Sequence, residues 1–356
     1  MLTGHRVGVW AIALLLVGTA VVAVATSSAS GHRKPTGSPP ASADVKRIKL
    51  PKKTIGIMGP VDAAEVIKLV NDATEKAAKT LGWKTIRVDP GGDPAKMAAG
   101  MTSLVNAHVN AIVLTTMEPA TIASGLRAAA QAKIPVIDTH TKTQSSKYFA
   151  GEYFLPPTKE FNLLLARMKK GLPRGSKIAT INLPQFLNAK IAGNQIKSAA
   201  KAQGWRIVAS HDADLQNLVP DVQKATGDIL RANPDLKAVW GCCDFAPAGA
   251  VPAIRSARKN VKVYALHGVP STIPFAKAGS AVVEMASYQQ GAIAAIDLLA
   301  AHFARGAKIP KHLPKSLAYQ MKIVDKSNAA KGFPYPTNKL LAPFKKKWAK
   351  LYIKAG

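Results

Sequence analysis

The chain has 356 residues, and its 49 lysines and arginines against 20 aspartates and glutamates give a formal net charge of +29 at pH 7. This length allows two domains with substantial cores. A strongly basic chain suggests nucleic-acid binding, but the lysines are scattered over predicted helix faces and the N-terminus predicts export. Since the two cysteines are adjacent, Cys242 and Cys243, a disulfide framework is excluded.

The N-terminus carries an export segment. Residues 7–25 form an uncharged apolar run after His5 and Arg6, which is the layout of a signal peptide. The run is also long enough to cross a bilayer as an uncleaved anchor, so residues 1–30 keep both interpretations. Residues 31–52 are rich in Ser, Gly, Pro and Lys and predict a flexible linker. We therefore expect localisation in the periplasm or on the outer face of the cytoplasmic membrane.

Short apolar runs alternate with helical patterns from residue 54 onward, which predicts α/β lobes with parallel sheets. The first set of predicted strands lies near 54–58, 84–88, 111–115, 134–138 and 147–151. The second set lies near 177–182, 206–210, 237–241, 261–266 and 281–285. A Gly-Trp pair precedes the second strand of each set, at Gly82-Trp83 and Gly204-Trp205. This internal echo favours two similar lobes.

A predicted helix at 288–304 and a late strand at 317–324 follow the second set. A chain that completes one lobe and then adds further elements is expected to cross back between the lobes, which makes a hinge. The predicted first lobe covers 53–154 with 286–313, and the second covers 155–285 with 314–328. Residues 329–356 form a basic C-terminal extension. Its stretch 343–354 is amphipathic, and we expect the aromatic face to dock onto the lobes rather than onto a membrane.

Several phrases of the sequence carry a resemblance to a known family. They are Leu81-Gly82-Trp83, Asp93-Pro94-Ala95-Lys96, Ile134-Pro135-Val136-Ile137, the run 233–239, Gly241 to Asp244 with 248–250, and Tyr288-Gln289 with Gly291. In this order they resemble the type I periplasmic solute-binding family, in its ribose-binding-like, sugar-binding branch, over about residues 53–325. The resemblance implies two doubly wound parallel-sheet lobes joined by three hinge strands, with a ligand in the cleft. It also implies delivery of that ligand to the permease of an ABC transporter.

The resemblance further implies a set of ligand-binding positions, which fall at Asp62, Glu65, His140, Thr141, Lys190, Cys243, Asp244, His267 and Met285. Most family residues that read sugars are replaced here, and Asp244 is kept. Carboxylates and guanidinium groups bind sugar hydroxyls with charge-assisted hydrogen bonds, so their loss argues against an ordinary pentose or hexose. Histidines in place of acids, with Lys190 as a cation, favour a ligand that carries a carboxylate or phosphate.

The same residues are compatible with other chemistries. His140, Cys243 and His267 are metal-ligand types, but their spacing matches no metal motif, so an ordinary polar cleft without metal or cofactor is expected. Cys242 and Cys243 have two interpretations, a vicinal disulfide or free thiols, and free thiols are favoured. The sequence contains no nucleophile elbow, phosphate-binding loop or metalloprotease motif, so an enzyme is not expected.

The sequence therefore predicts an exported, monomeric solute-binding protein. It is expected to capture a small polar molecule for an ABC importer and to bind no nucleic acid. The ligand is a sugar or a sugar-like compound, and an anionic compound of this kind is one alternative. A membrane-anchored ligand sensor with the same fold is the alternative function.

Overall fold

The computed structural model describes residues 47–356. The predicted signal peptide or anchor and the linker up to residue 46 lie outside this range. Among residues 47–356, no helix combines the length and apolarity needed to cross a membrane.

The first lobe is built on a five-stranded parallel sheet. Its elements, with a short preceding strand, are β1 Ile48–Lys49, β2 Thr54–Met58, α1 Glu65–Thr80, β3 Lys84–Val88, α2 Pro94–Asn106, β4 Ala111–Thr115, α3 Ala123–Gln131, β5 Val136–His140 and β6 Phe149–Phe154. The strand order is β3-β2-β4-β5-β6. Every residue of the central strand β4 is buried, as expected for a parallel strand covered on both faces.

The second lobe is built on a six-stranded sheet. Its elements are α4 Pro157–Gly171, β7 Lys177–Asn182, α5 Leu187–Gln203, β8 Arg206–Asp212, α6 Leu218–Ala232, β9 Ala238–Gly241, α7 Phe245–Ser256, β10 Lys262–Ala265, α8 Ile273–Lys277 and β11 Ala281–Ala286. The later elements of the chain, which the two lobes share, are α9 Gln289–Arg305, β12 Met321–Val324, α10 Thr337–Leu351 and β13 Tyr352–Ile353. The order is β12-β11-β10-β9-β7-β8, and β12 pairs antiparallel with β11.

The chain passes between the lobes more than once. It leaves the first sheet after β6, and it returns after β11, because α9 packs into the apolar core around Ile55 and Ile57 of β2. It then crosses back to add β12 to the second sheet. These passages agree with the hinge that the late elements predicted. The lobe boundaries assigned from the sequence stay a prediction.

The Gly-Trp echo has a structural meaning. The Trp83 indole N–H donates to the Pro51 carbonyl at 3.1 Å, and the Trp205 indole N–H donates to the Leu172 carbonyl at 3.2 Å. Both rings are buried, and each carbonyl precedes the first strand of its sheet. The two tryptophans therefore fix equivalent corners of the two lobes.

The C-terminal extension docks onto the first lobe. Phe344, Trp348 and Tyr352 are buried in the same core as Ile55, and the Trp348 indole N–H donates to Asp297 Oδ1 on α9 at 2.8 Å. The docking expected from the amphipathic pattern is confirmed.

The end of the predicted linker differs from expectation. Residues 48–49 form strand β1, which pairs with β13, and Leu50 is buried beside them. The apolar Leu50 side chain fixes this segment to the core, so the chain is ordered before β2.

Candidate functional site

A cavity lies where the carboxyl ends of the two sheets face each other. The space between its walls, open solvent included, is about 480 Å³. The first lobe lines it with Pro60, Val61, Ala64, Val66, Ile67, Thr116, His140 and Thr141. The second lobe lines it with Leu183, Phe186, Asn188, Ala189, Leu215, Leu218, Cys243, Asp244, Phe245 and His267. Because both lobes form the wall, the structure corresponds to a closed arrangement.

Two carboxylates accept hydrogen bonds from the N-termini of helices α1 and α5 in the opposite lobe. Asp244 Oδ2 of the second lobe accepts a hydrogen bond from the Val66 N–H in the first turn of α1, at 3.0 Å. Glu118 Oε1 of the first lobe accepts one from the Leu187 N–H, the first residue of α5, at 2.8 Å. Neither helix has a side-chain cap of its own. Each helix N-terminus, with its unpaired N–H groups and positive dipole end, is thus satisfied by the opposite lobe.

A histidine pair lies at the centre of the cleft. His140 ends β5 of the first lobe and His267 follows β10 of the second lobe, and their ring centroids are 5.4 Å apart. Tyr288 contacts both rings edge-on, at 5.3 and 5.9 Å. Both histidines are buried, and both have positive φ, 80° and 58°. Such backbone strain in non-glycine residues concentrates at binding and active sites.

Two buried glutamates lie behind His267. Glu160 Oε1 on α4 is 3.2 Å from His267 Nε2, an ion-pair distance whose angle is outside hydrogen-bond geometry. Glu284 Oε2 on β11 accepts from the His267 backbone N–H and from the Tyr288 hydroxyl, both at 3.4 Å. The second lobe therefore supplies the counter-charge for His267 from its own interior.

These contacts set the charges in the cleft. Burial opposes a charge on His267, but the Glu160 carboxylate and the Cys243 thiol beside it hold its pKa well above the ordinary value. Burial, followed by the His267 charge, holds the pKa of His140 well below its ordinary value. Burial, together with the Glu160 charge, raises the pKa of Glu284 to about 8. His267 and Glu160 therefore form a buried ion pair, while burial favours the uncharged forms of His140 and Glu284.

Both cysteines are free thiols. Cys243 lines the cavity, and Cys242 is buried behind it. Their sulfur atoms are 3.2 Å apart. The hydrogen bond to Cys242, together with burial, raises the pKa of Cys243 well above its ordinary value. A protonated, buried thiol is a poor nucleophile. Within residues 47–356, no group of three or more His, Cys, Asp or Glu side chains is arranged to hold a metal ion.

Five predicted site residues meet in the cavity, namely His140, Thr141, Cys243, Asp244 and His267. Four others lie elsewhere. Asp62 pairs with Arg87 at 2.6 Å, and Glu65 accepts from the Ser271 N–H at 3.4 Å. Lys190 is exposed on α5, and Met285 is fully buried in β11, outside the cavity lining.

The sequence prediction missed other residues of the cleft. Phe186, Asn188 and Phe245 line the cavity, and all three follow strands β7 or β9, so the rule that ligands bind beyond strand ends could have found them. Glu160 lies in a helix, and nothing in its local sequence marks it as a partner of His267.

The family is shown by comparison with known proteins. Residues 55–308 match the family model described as the periplasmic binding protein domain. The chain belongs to this family. Its members are solute-binding proteins of the periplasm or the extracytoplasmic side and not enzymes, so this periplasmic binding protein is a solute-binding protein too.

Individual relatives agree with this assignment. The chain is 24% identical to the ribose import binding protein of Escherichia coli over 234 residues, which are 64% of this chain and 77% of that protein. It is 24% identical to the ribose import binding protein of Bacillus subtilis over 197 residues, 54% of this chain and 63% of that protein.

Solved structures share the fold. An ABC transporter solute-binding protein from Agrobacterium vitis with bound allitol has a TM-score of 0.69 and 20% identity, covering 80% of this chain and 98% of that chain. A solute-binding protein from Bacillus halodurans with bound myo-inositol has a TM-score of 0.69 and 16% identity, covering 80% and 98%. The predicted two-lobe α/β fold and the predicted family are confirmed.

Proposed function

We propose that this periplasmic binding protein captures a small polyhydroxy compound, a sugar or polyol, and delivers it as a monomer to the permease of an ABC importer. The observation that carries the proposal is a cavity whose wall is formed by residues of both lobes. The names of the relatives support the ligand class, since they are ribose import binding proteins and the similar structures hold allitol and myo-inositol. The N-terminal apolar run is the export signal or membrane anchor in this proposal.

The mechanism needs no covalent chemistry. A ligand held between the lobes contacts both walls only in the closed form, so its differential affinity shifts the equilibrium toward closure. The bonds from Val66 to Asp244 and from Leu187 to Glu118 join the lobes in that form. A permease then distinguishes closed, loaded protein from the open form by the surface that closure creates.

The test is a thermal-shift screen of the purified full-length chain with neutral sugars and polyols. A ligand that binds the folded form raises the melting temperature by mass action. Small-angle scattering with the best compound should show a smaller radius of gyration, and light scattering should give the mass of one chain. Cells that lack the gene should lose uptake of that compound. Failure of every neutral sugar and polyol to bind would overturn the proposal.

A further inference from the structure

Most of the cavity wall is apolar. The apolar lining residues are Pro60, Val61, Ala64, Val66, Ile67, Leu183, Phe186, Ala189, Leu215, Leu218 and Phe245. Those of the first lobe form one continuous stretch of chain, from the loop after β2 into the first turns of α1. A hydroxyl group pressed against such a wall loses its hydrogen bonds to water without replacement, which is unfavourable. The wall therefore fits a ligand that has an apolar edge.

The charges in the cavity disfavour an anion. Among the residues of 47–356 that line it, none is a lysine or arginine, and Lys190, expected there from the sequence, is exposed elsewhere on α5. The His267 charge is matched by Glu160 at 3.2 Å. Asp244 adds a carboxylate to the lining. The interpretation of a ligand with a carboxylate or phosphate is therefore not supported by the arrangement of these side chains.

The polar part of the wall offers hydrogen-bond acceptors. Asp244 Oδ1 and Asn188 Oδ1 are buried and have no hydrogen-bond partner within the described part of the chain. Both residues line the cavity from the second lobe, and Asp244 and Asn188 are 4% and 3% exposed. Buried acceptors of this kind are satisfied by a partner in the functional state. Hydroxyl groups of a ligand supply the donors that both oxygen atoms need.

From these observations we infer that the cavity selects neutral sugars or polyols with one apolar edge, such as 6-deoxy sugars, over fully hydroxylated and anionic sugars. This inference rests on the proposed function and narrows its ligand class. The hydroxyl edge of the ligand faces Asn188 and Asp244. The methyl edge faces the apolar wall, which we define as residues Val61, Val66 and Ile67 with Phe186 and Phe245.

The test uses matched pairs of compounds with the full-length protein. The pairs are D-fucose with D-galactose, L-rhamnose with L-mannose, and 6-deoxy-D-glucose with D-glucose, and D-galacturonate and D-glucuronate are the anionic probes. A hydrophobic pocket discriminates one such group by roughly 10–100-fold. Calorimetry should therefore show that at least one deoxy sugar binds roughly tenfold or more tightly than its partner, and that the uronates do not bind.

The outcomes separate the two proposals. If a parent hexose or a uronate binds at least as tightly as every deoxy sugar, the inference is overturned while the proposed function holds. If neutral sugars and polyols all fail to bind, both fall.

A variant of the apolar wall checks the cause of the preference. Val61→Thr keeps the side-chain shape and replaces one methyl group with a hydroxyl, so the deoxy preference should fall several-fold while the parent hexose binds better. Val208→Thr, in β8 and away from the cavity, is the matched control and should leave the preference unchanged. Val66→Thr is the second variant should Val61→Thr unfold. An unchanged preference in the folded wall variants would contradict the assignment of this wall.

Discussion

The Asp244 carboxylate in the second lobe accepts a hydrogen bond from the Val66 N–H of the first lobe at 3.0 Å. In the opposite direction, the Glu118 carboxylate of the first lobe accepts one from the Leu187 N–H of the second lobe at 2.8 Å. The two bonds are reciprocal, because each lobe supplies the helix cap that the other lacks. Opening the cleft separates each helix N-terminus from its carboxylate. The free energy of these caps therefore favours closure specifically, rather than the folding of either lobe alone.

Glu118→Gln should weaken ligand binding although Glu118 is outside the cavity lining. The amide keeps the shape but loses the charge at the α5 N-terminus, which is worth about 0.5–1 kcal/mol. We expect roughly a two- to fivefold weaker affinity by calorimetry, with little change in the melting temperature of the ligand-free protein. Glu75→Gln, an equivalent change on α1 away from the cleft, is the control. Equal affinities for both variants would show that the cross-lobe cap does not stabilise closure.

The cleft histidines predict a pH dependence of closure. The pKa of His140 is held well below its ordinary value in the closed form, first by burial and then by the His267 charge. When the cleft opens, His140 regains water and its ordinary pKa near 6.5. Below about pH 6.5, His140 binds a proton in the open form but not in the closed form. Closure is therefore favoured above that pH and weakens as the pH falls below it.

Ligand affinity should accordingly fall by up to about tenfold per pH unit below 6.5. His140→Asn should remove most of this fall, and asparagine tolerates the positive φ of 80° at this position. Calorimetry between about pH 5 and pH 8, the range in which an ordinary histidine titrates, measures the ligand affinity of the original protein and of the His140→Asn variant. Burial in the closed form raises the pKa of Asp244 to about 6, so protonation of Asp244 favours closure as the pH falls and opposes the effect of His140. Asp244 is present in both the original protein and the variant, so its effect is the same in the two curves. A variant that keeps the full acid sensitivity would rule out His140 as its source.

The sequence predicted the two sheets and their covering helices well because most of these elements have a local signal. Buried parallel strands such as Ala111–Thr115 are continuous apolar runs, and the Asp93 side chain caps α2 as the Asp-Pro pair indicates. The echo of Trp83 and Trp205 correctly pointed to two similar lobes. These features depend on neighbours in the chain, so they can be read without the tertiary structure.

The site was predicted only in part because side-chain direction is set by packing. Lys190 and Asn188 are two residues apart in the first turns of α5, yet Asn188 lines the cavity and Lys190 is exposed. Residues two apart on a helix point in different directions, and the rotation of α5 about its axis is fixed by the lobe core. The pairing of Glu160 with His267 joins residues on α4 and after β10, which no local pattern indicates.

The ion pair between His267 and Glu160 should contribute more to the free energy of unfolding than the neighbouring Glu284 side chain does. Glu160→Gln leaves a buried imidazolium without a counter-charge, and breaking such a pair costs about 3–5 kcal/mol. Glu284→Gln is the matched control, since the pKa of Glu284 is raised to about 8 and the neutral amide resembles its protonated form. Urea unfolding at pH 7 should show a large loss for the first variant and under about 1 kcal/mol for the second. Similar losses would mean that Glu284 carries the counter-charge.

The docked C-terminus predicts a contrast between two glycines that each follow a helix. Gly82 has φ +81°, and a Cβ there would lie 2.3 Å from the Ala355 carbonyl oxygen, beside the bond from the Ala355 N–H to the Leu81 carbonyl. Gly306 has φ +67° and nothing within 4 Å of its Cβ position. Alanine at either position meets the strain of a left-handed conformation, about 1–2 kcal/mol. Only at Gly82 does it also displace the chain end that follows β13.

Gly82→Ala should therefore destabilise the protein by about 1–3 kcal/mol more than Gly306→Ala, measured by urea unfolding of the full-length chain. Amide hydrogen exchange adds a local readout, because displacement of the chain end exposes the N–H of Ala355 in the Gly82 variant alone. Equal losses of stability with unchanged protection at Ala355 would show that the C-terminal segment contributes little to the first lobe. A larger loss of stability in Gly82→Ala would instead establish that residues 337–356 are an integral part of the folded first lobe. They contact Gly82 through Ala355 and Asp297 through Trp348.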